Sequence, residues 1–246
     1  METLDDLVAR ERRSDATALT VADGPTYDYH RFCTTAWKTG NFLRHQGVRE
    51  GVVVGVADDR TTQPLLTLFG TALLGGATRF GEVDPAEVEA LVLPAAAADA
   101  ADVPPGTSRV GYGAEPEDPA VAHFGRDVWS ENPSFPSVER DPATPALATA
   151  DATYSHRELV DAAERVVEEY DLTAEDSVAV RASLTHPGTV VAGVLAPLVA
   201  GGAVALDAPA GTRADATLAV ESDAAGETAG VRSIPADEAR PRYSRN

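Results

Sequence analysis

What most constrains this chain is an internal repeat with a period of about 126 residues. Ala18-Leu19-Thr20-Val21-Ala22-Asp23-Gly24-Pro25-Thr26-Tyr27 returns as Ala146-Leu147-Ala148-Thr149-Ala150-Asp151-Ala152-Thr153-Tyr154. His30-Arg31 returns as His156-Arg157, Val52-Val53-Val54 as Val178-Ala179-Val180, and Leu74-Gly75-Gly76-Ala77 as Ala200-Gly201-Gly202-Ala203. From His30 to Ala77 the two copies align without a gap. Solenoid repeats run to about 20–50 residues, so this longer period reads as a duplicated α/β unit.

Within each copy the order of elements is the same. A hairpin comes first, turning at Asp23-Gly24 in copy one, a pair suited to a tight reversal. An amphipathic helix follows, His30 to Gln46 in copy one and His156 to Tyr170 in copy two, where Leu159, Ala162, Ala163 and Val166 recur at helical spacing. Buried strands are predicted at Val52–Val56 and Ser177–Val180, and second helices at Gln63–Leu74 and Thr189–Val199. Paired glycines close those helices before strands at Ala77–Phe80 and Ala203–Leu206. Helices alternating with apolar strands specify an α/β fold: two similar αβα subdomains with mainly parallel sheets. Further strands are expected at Val88–Leu93, Ser108–Gly111 and Thr217–Val220, with an Ala/Asp-rich loop from Ala95 to Gly106. The expected organisation is a first subdomain over 1–115, a Pro- and acid-rich connector over 116–145, a second, shortened subdomain over 146–222, and a flexible tail over 223–246.

Composition narrows the function classes. Nineteen Arg and the single Lys38 stand against 39 acidic residues, a formal charge of -19. Such a surface resembles proteins of high-salt cytoplasm and opposes nucleic acid and anionic membranes, which require basic patches. The lone Cys33 excludes an intramolecular disulfide and fits a reducing, cytoplasmic setting. The apolar run Gly188–Leu206 is broken by Pro197 and Gly201-Gly202, so no membrane span is expected.

Few residues carry recognisable chemistry. His186 precedes Pro187-Gly188 on a strand-to-helix turn, where loops of α/β folds present side chains to ligands. Asp58-Asp59-Arg60 follows a buried strand in the same way. His30 and His156 stand at equivalent helix starts, which points to a shared structural role. Ser155 before His156 lacks a nucleophile elbow, and no histidine pair has metal-binding spacing.

Gly47-Val48-Arg49-Glu50-Gly51-Val52, Ala72-Leu73-Leu74-Gly75-Gly76-Ala77 and Asp84-Pro85, followed by Ser155-His156-Arg157-Glu158-Leu159 and His186-Pro187-Gly188, resemble stretches of the large N-terminal domain of adenylate-forming (AMP-binding) enzymes such as the acyl-CoA synthetases. The resemblance covers about residues 5 to 210 and implies an ATP-dependent acid–thiol ligase, with the position of His186 facing the acyl pocket. Adenylation also requires a Gly-, Ser- and Thr-rich loop whose N–H groups hold phosphate. In the resembling enzymes that loop lies directly before the Ser-His segment. Here Ala148-Thr149-Ala150-Asp151-Ala152-Thr153-Tyr154 holds neither glycine nor lysine. The family's later adenine and ribose motifs and its C-terminal lid are also missing from the sequence. The expectation is therefore a catalytically degenerate relative without a catalytic residue or cofactor, in which ATP, AMP or CoA binds only where residual family binding survives. Its weak ligand-binding candidates are His186, Asp58, Asp59, Ser155 and His156. Alternatives are a non-catalytic partner subunit of a full-length synthetase or another enzyme, with a protein partner or as a homo-oligomer, and half of a split acid–thiol ligase. A small acyl or CoA ligand fits the first reading.

Overall fold

The computed structural model describes residues 1–22, 24–136, 138–206, 216–222 and 232–242. After short 3-10 turns at Leu4–Val8 and Arg10–Arg12, the first copy runs β1 (Thr17–Val21), β2 (Tyr27–Asp28), α1 (Tyr29–His45), β3 (Val53–Val56), α2 (Thr62–Ala72) and β4 (Ala77–Phe80). β5 (Ala90–Pro94), α3 (Ala95–Ala100), β6 (Ser108–Tyr112), β7 (Ala122–His123) and α4 (Phe124–Ser130) follow. The second copy runs β8 (Pro145–Ala148), β9 (Thr153–Ser155), α5 (His156–Tyr170), β10 (Ser177–Val180) and α6 (Pro187–Thr189). It continues through a π-helical stretch, Val190–Leu195, into α7 (Ala196–Ala200), then β11 (Ala203–Leu206), β12 (Leu218–Glu221) and β13 (Arg232–Pro235).

The hairpins are exchanged between the halves. One sheet has the order β13-β12-β10-β11-β1-β2, and the other β7-β6-β5-β3-β4-β8-β9. Copy one's hairpin thus extends the sheet of copy two, and copy two's hairpin extends the sheet of copy one. The exchange is symmetric in register: Leu19 stands opposite Val204 as Leu147 stands opposite Thr78. Each hairpin covers the otherwise open parallel edge of β11 or β4, satisfying backbone groups that an edge strand leaves unpaired. The sheets therefore do not follow the sequence halves at 115 and 146, because edge strands pair by geometry and not by chain proximity.

The repeat also runs further than the sequence suggests. β5 and β6 flank β3 as β12 and β13 flank β10, all in parallel. The tail expected to fray at 223–246 therefore contains a sheet strand, whose Ile234 is fully buried. Its short length and polar flanks hide it from hydropathy. The gapless alignment is corrected too. Both β3 and β10 pair with the following strand, Val53 with Ala77 and Ser177 with Ala203, which sets Val54 against Val178. Helix α1 is two residues longer than α5, and that length difference moves the register.

Three further local expectations change. Ala95–Ala100 is a helix and not a loop, as its alanine run favours. The connector holds β7 and α4, whose Phe124 and Val128 are buried. The second helix of copy two widens into a π turn because Pro197 has no N–H for the carbonyl four residues back and its ring crowds that carbonyl. In α2 the position corresponding to Pro197 is Thr71, and the helix's own proline, Pro64, lies in the first turn, where an N–H is unneeded, so that helix is regular. The expected Asp23-Gly24 turn rests on Asp23, which lies outside the described residues, as does most of 207–231.

The interior is aliphatic, with Phe32 meeting Phe69 edge-on at 5.4 Å between ring centroids. Each such buried side chain contributes about 1.5–3 kcal/mol. Cys33 is a buried filler whose thiol is pushed up to about 11 by burial. No helix among the described residues is long and apolar enough to cross a membrane.

Candidate functional site

In open α/β sheets ligands meet the loops beyond the carboxyl ends of the strands. Here those loops, after β3 and after β10, grip each other. Asp58 accepts hydrogen bonds from Ser183 Oγ at 2.6 Å and from Leu184 N at 2.8 Å. Arg60 answers from the same loop: its Nε donates to Val180 O at 2.9 Å, and its guanidinium also reaches Arg181 O. Asp59 turns inward and accepts from Thr61 N and Thr61 Oγ1 at 3.0 and 2.6 Å, and from the Tyr112 hydroxyl. Burial, then the Asp59 hydrogen bond, raises the Tyr112 phenol well above its ordinary range. Asp58 is thus brought against the His186 turn, with Arg60, as a latch between the two sheets, whereas Asp59 bonds only within its own half.

His186 is the N-cap residue of α6, and its Nε2 lies 2.8 Å from Asp237 Oδ1. A carboxylate only accepts, so Nε2 carries the proton and Nδ1 is left buried without a partner. The partner Asp237 belongs to a turn, Ala236–Ala239, that follows β13. Ala236 donates its N–H to Glu221 O at 3.1 Å and is itself buried. Its carbonyl comes so near Gly188 that a side chain there would overlap it. Further along, Glu238 accepts from the Tyr170 hydroxyl at 3.3 Å, and Arg240 bonds Tyr154 near Asp151. A strap of the chain's own backbone thus lies across the carboxyl end of the sheet, from His186 to the second hairpin. No local pattern signals this strap; the pairing of Asp237 with a histidine 51 positions away is visible only in three dimensions.

Ser155 and His156 do structural work. Ser155 caps α5 by a reciprocal capping box with Glu158: Ser155 N donates to Glu158 Oε2 at 2.9 Å and Glu158 N donates to Ser155 Oγ at 3.3 Å. His156 is fully buried, and its Nδ1 accepts from Leu4 N at 3.0 Å. The match with His30 fails by one residue. Tyr29 N bonds Ala16 O as His156 N bonds Thr144 O, so Tyr29 is the true counterpart, and His30 is an exposed residue 3.8 Å from Asp15.

Burial depresses the His156 imidazole to about 4, with Arg140 adding to the effect. Because the folded-state value lies below the unfolded one near 6.5, stability is unaffected above that pH and is lost as pH falls toward 4. The loss reaches about 3 kcal/mol. Urea unfolding at pH 7 and pH 4 measures most of it, and His156→Gln is expected to flatten this acid limb relative to wild type.

The turn before Ser155 is closed. β8 and β9 pair antiparallel up to Ala148 opposite Thr153. The four residues between are tied by Thr149 N to Ala152 O at 2.8 Å and by Ala152 N to Thr149 Oγ1 at 3.1 Å. Both of those backbone groups are thereby consumed within the turn, and Asp151 projects at its exposed tip. Two of the turn's four N–H groups are thus spent internally, and it has none of the glycines that let a backbone wrap a phosphate. Among the described residues, no three His, Cys, Asp or Glu side chains gather as a metal-binding set.

No protein-family model and no curated protein matches the sequence. Solved structures do match in shape. The anthranilate CoA ligase AuaEII, solved with anthranoyl-AMP, superposes with a TM-score of 0.77 at 16% identity, over 89% of this chain and 49% of that one. ATP-bound MatB from Rhodopseudomonas palustris gives 0.71 at 16% identity, over 89% and 49%. FmoA3, a nonribosomal peptide synthetase, gives 0.69 at 21% identity, over 82% and 22%. The chain spans about half the length of the two ligases, 49% in each case. With its two mainly parallel sheets, the chain has the fold shared by these adenylate-forming ligases.

Proposed function

We propose that this chain is a non-adenylating relative of the CoA ligases, with a binding or regulatory role in place of acid activation. The observation that carries the reading is the closed Thr149–Ala152 turn, which spends the Thr149 and Ala152 N–H groups internally at the place the sequence resemblance assigns to phosphate binding. An ATP phosphate brought there would meet Asp151 instead of a ring of N–H donors, and like charges in proximity repel. The strap over Gly188 supports the same reading, because it fills the crevice beside His186.

The direct test is carboxylate-dependent ATP–pyrophosphate exchange with acyl and aryl acids, together with calorimetric titration of Mg-ATP and CoA. We expect exchange at the level of a protein-free blank and no saturable heat from ATP. Exchange above the blank, or ATP binding in the micromolar range, would overturn the proposal.

A further inference from the structure

On the outer side of the β7–β9 sheet, α1, α2 and α4 enclose a pocket of about 460 Å³. Its volume lies within the range of small-molecule sites, about 300–1,000 Å³. Its floor is apolar: Leu66, Phe124 and Val128 are 2%, 3% and 4% exposed. At its rim stands Trp129, which is 82% exposed. An indole left in water beside an apolar floor is an unusual use of the largest hydrophobic side chain.

The polar part of the lining is the reverse of the rest of the protein. The chain carries a formal charge of -19, yet Arg13, His30, Arg31 and the only lysine, Lys38, all line this pocket. Arg31, Thr34 and Lys38 fall on one stripe of α1 because positions three and four apart are neighbours on a helix. Asp28 is the one carboxylate in the lining, and its Oδ1 is engaged in capping α1 by accepting Arg31 N at 2.6 Å.

The cations are not neutralised by the protein. Among the described residues, none of Arg13, Arg31 and Lys38 forms a salt bridge; Arg49, Arg79, Arg109, Arg126, Arg140, Arg157 and Arg181 each have at least one, and Arg10, Arg12, Arg44 and Arg60, outside the pocket, have none. Lys38 Nζ donates to Trp129 O at 2.6 Å and lies 5.2 Å from the centroid of the indole. That leaves two of its three donors for another group. Arg31 stacks 4.1 Å from the Tyr27 ring centroid and gives Nη1 to Thr26 O at 3.2 Å, and its side chain meets no carboxylate among the described residues. Arg13 has a buried Nε without a partner.

We propose that this pocket binds a small organic carboxylate with an apolar body. The carboxylate sits at the cationic rim, and the body lies over Leu66, Phe124 and Val128 against Trp129. The site shares no residue with the latch or strap, although Thr62 and Gln63 of its lining follow the latch loop directly in the chain. It stands whether or not the chain adenylates, so its test is separate from the ATP titration.

Octanoate is the probe, with octanol as its uncharged counterpart, followed by tryptophan emission and by calorimetry on the full chain at one fixed salt concentration. Arg13 of the lining stacks 5.4 Å from the buried Trp37 ring, so the emission is followed in Trp37→Phe as well, where it reports Trp129. We expect saturable octanoate binding, octanol at least tenfold weaker, and a loss of at least tenfold for Arg31→Gln/Lys38→Met. Lys38→Arg retains binding. Should the double variant lose its circular-dichroism signature of folding, Lys38→Met alone serves as the test, with a loss of at least threefold expected. Equal binding of octanol and octanoate, unchanged binding by the folded variants, or no saturable change up to millimolar octanoate would each overturn the assignment.

Discussion

Gly188→Ala is expected to release the strap that covers the carboxyl end of the β10 sheet. The added methyl would overlap the Ala236 carbonyl, which is backbone and cannot rotate away. His186 Nδ1 and the Ala236 carbonyl carbon close the remaining space. Overpacking of this kind costs about 1–3 kcal/mol when neighbours can adjust, and more when they cannot. Release also breaks the His186–Asp237 pair at 2.8 Å and the Ala236 N to Glu221 O bond at 3.1 Å. Hydrogen exchange should show this as lost protection for Ile234, Ala236 and Ala239, with the amides of α1 and α2 unchanged. The variant should still fail to bind ATP, since opening the crevice does not restore donors to the Thr149–Ala152 turn. Retained protection across Ile234–Ala239 would mean that the strap is not seated against Gly188.

Arg140→Met is expected to destabilise the protein by about 3–5 kcal/mol at pH 7. Arg140 is 7% exposed and joins three pieces of chain. Its Nε bonds Asp5 Oδ2 at 3.1 Å, in the first 3-10 turn, and its Nη2 donates to Leu73 O at 2.6 Å, just past α2. Burial raises the Asp5 carboxyl to about 6 even with Arg140 opposing it. Without the guanidinium, a buried carboxylate has no counter-charge, and its other oxygen, Oδ1, already lacks a hydrogen-bond partner. Because the folded-state value lies above the unfolded one near 3.8, Asp5 costs stability as pH rises through the window between them, and protonation removes that cost. The deficit of the variant should therefore shrink between pH 7 and pH 5. Urea midpoints of variant and wild type at both values measure this, and a deficit independent of pH would assign the loss to the Leu73 contact alone.

Much of the fold is legible from local pattern. Alternation of amphipathic helix and short apolar strand identifies β4 and β11 to the residue, and the capping box at Ser155 sets the start of α5 where the sequence puts it. Such elements are encoded in neighbouring residues, so spacing suffices. β13 escapes because Arg232-Ser233-Ile234-Pro235 has one apolar side chain, and its strand character comes from pairing with β12. The candidate site is legible only as positions. Asp58, Asp59 and His186 do lie at carboxyl ends of strands, as the sequence indicates, but their partners are Ser183, Tyr112 and Asp237. No spacing rule predicts contacts between groups so far apart in the chain.

The sequence by itself determined the recurring order of helices and strands, the α/β class and the short hairpin before α5, because each is written in residue type and local order. Tertiary structure alone decided that the two hairpins change places, that the acidic loop latches one sheet to the other, and that a C-terminal strap fills the crevice beside His186. These depend on which edges and loop ends are left unsatisfied once both sheets have formed. Such edges are filled by whichever segment can reach them, however distant it is in the chain.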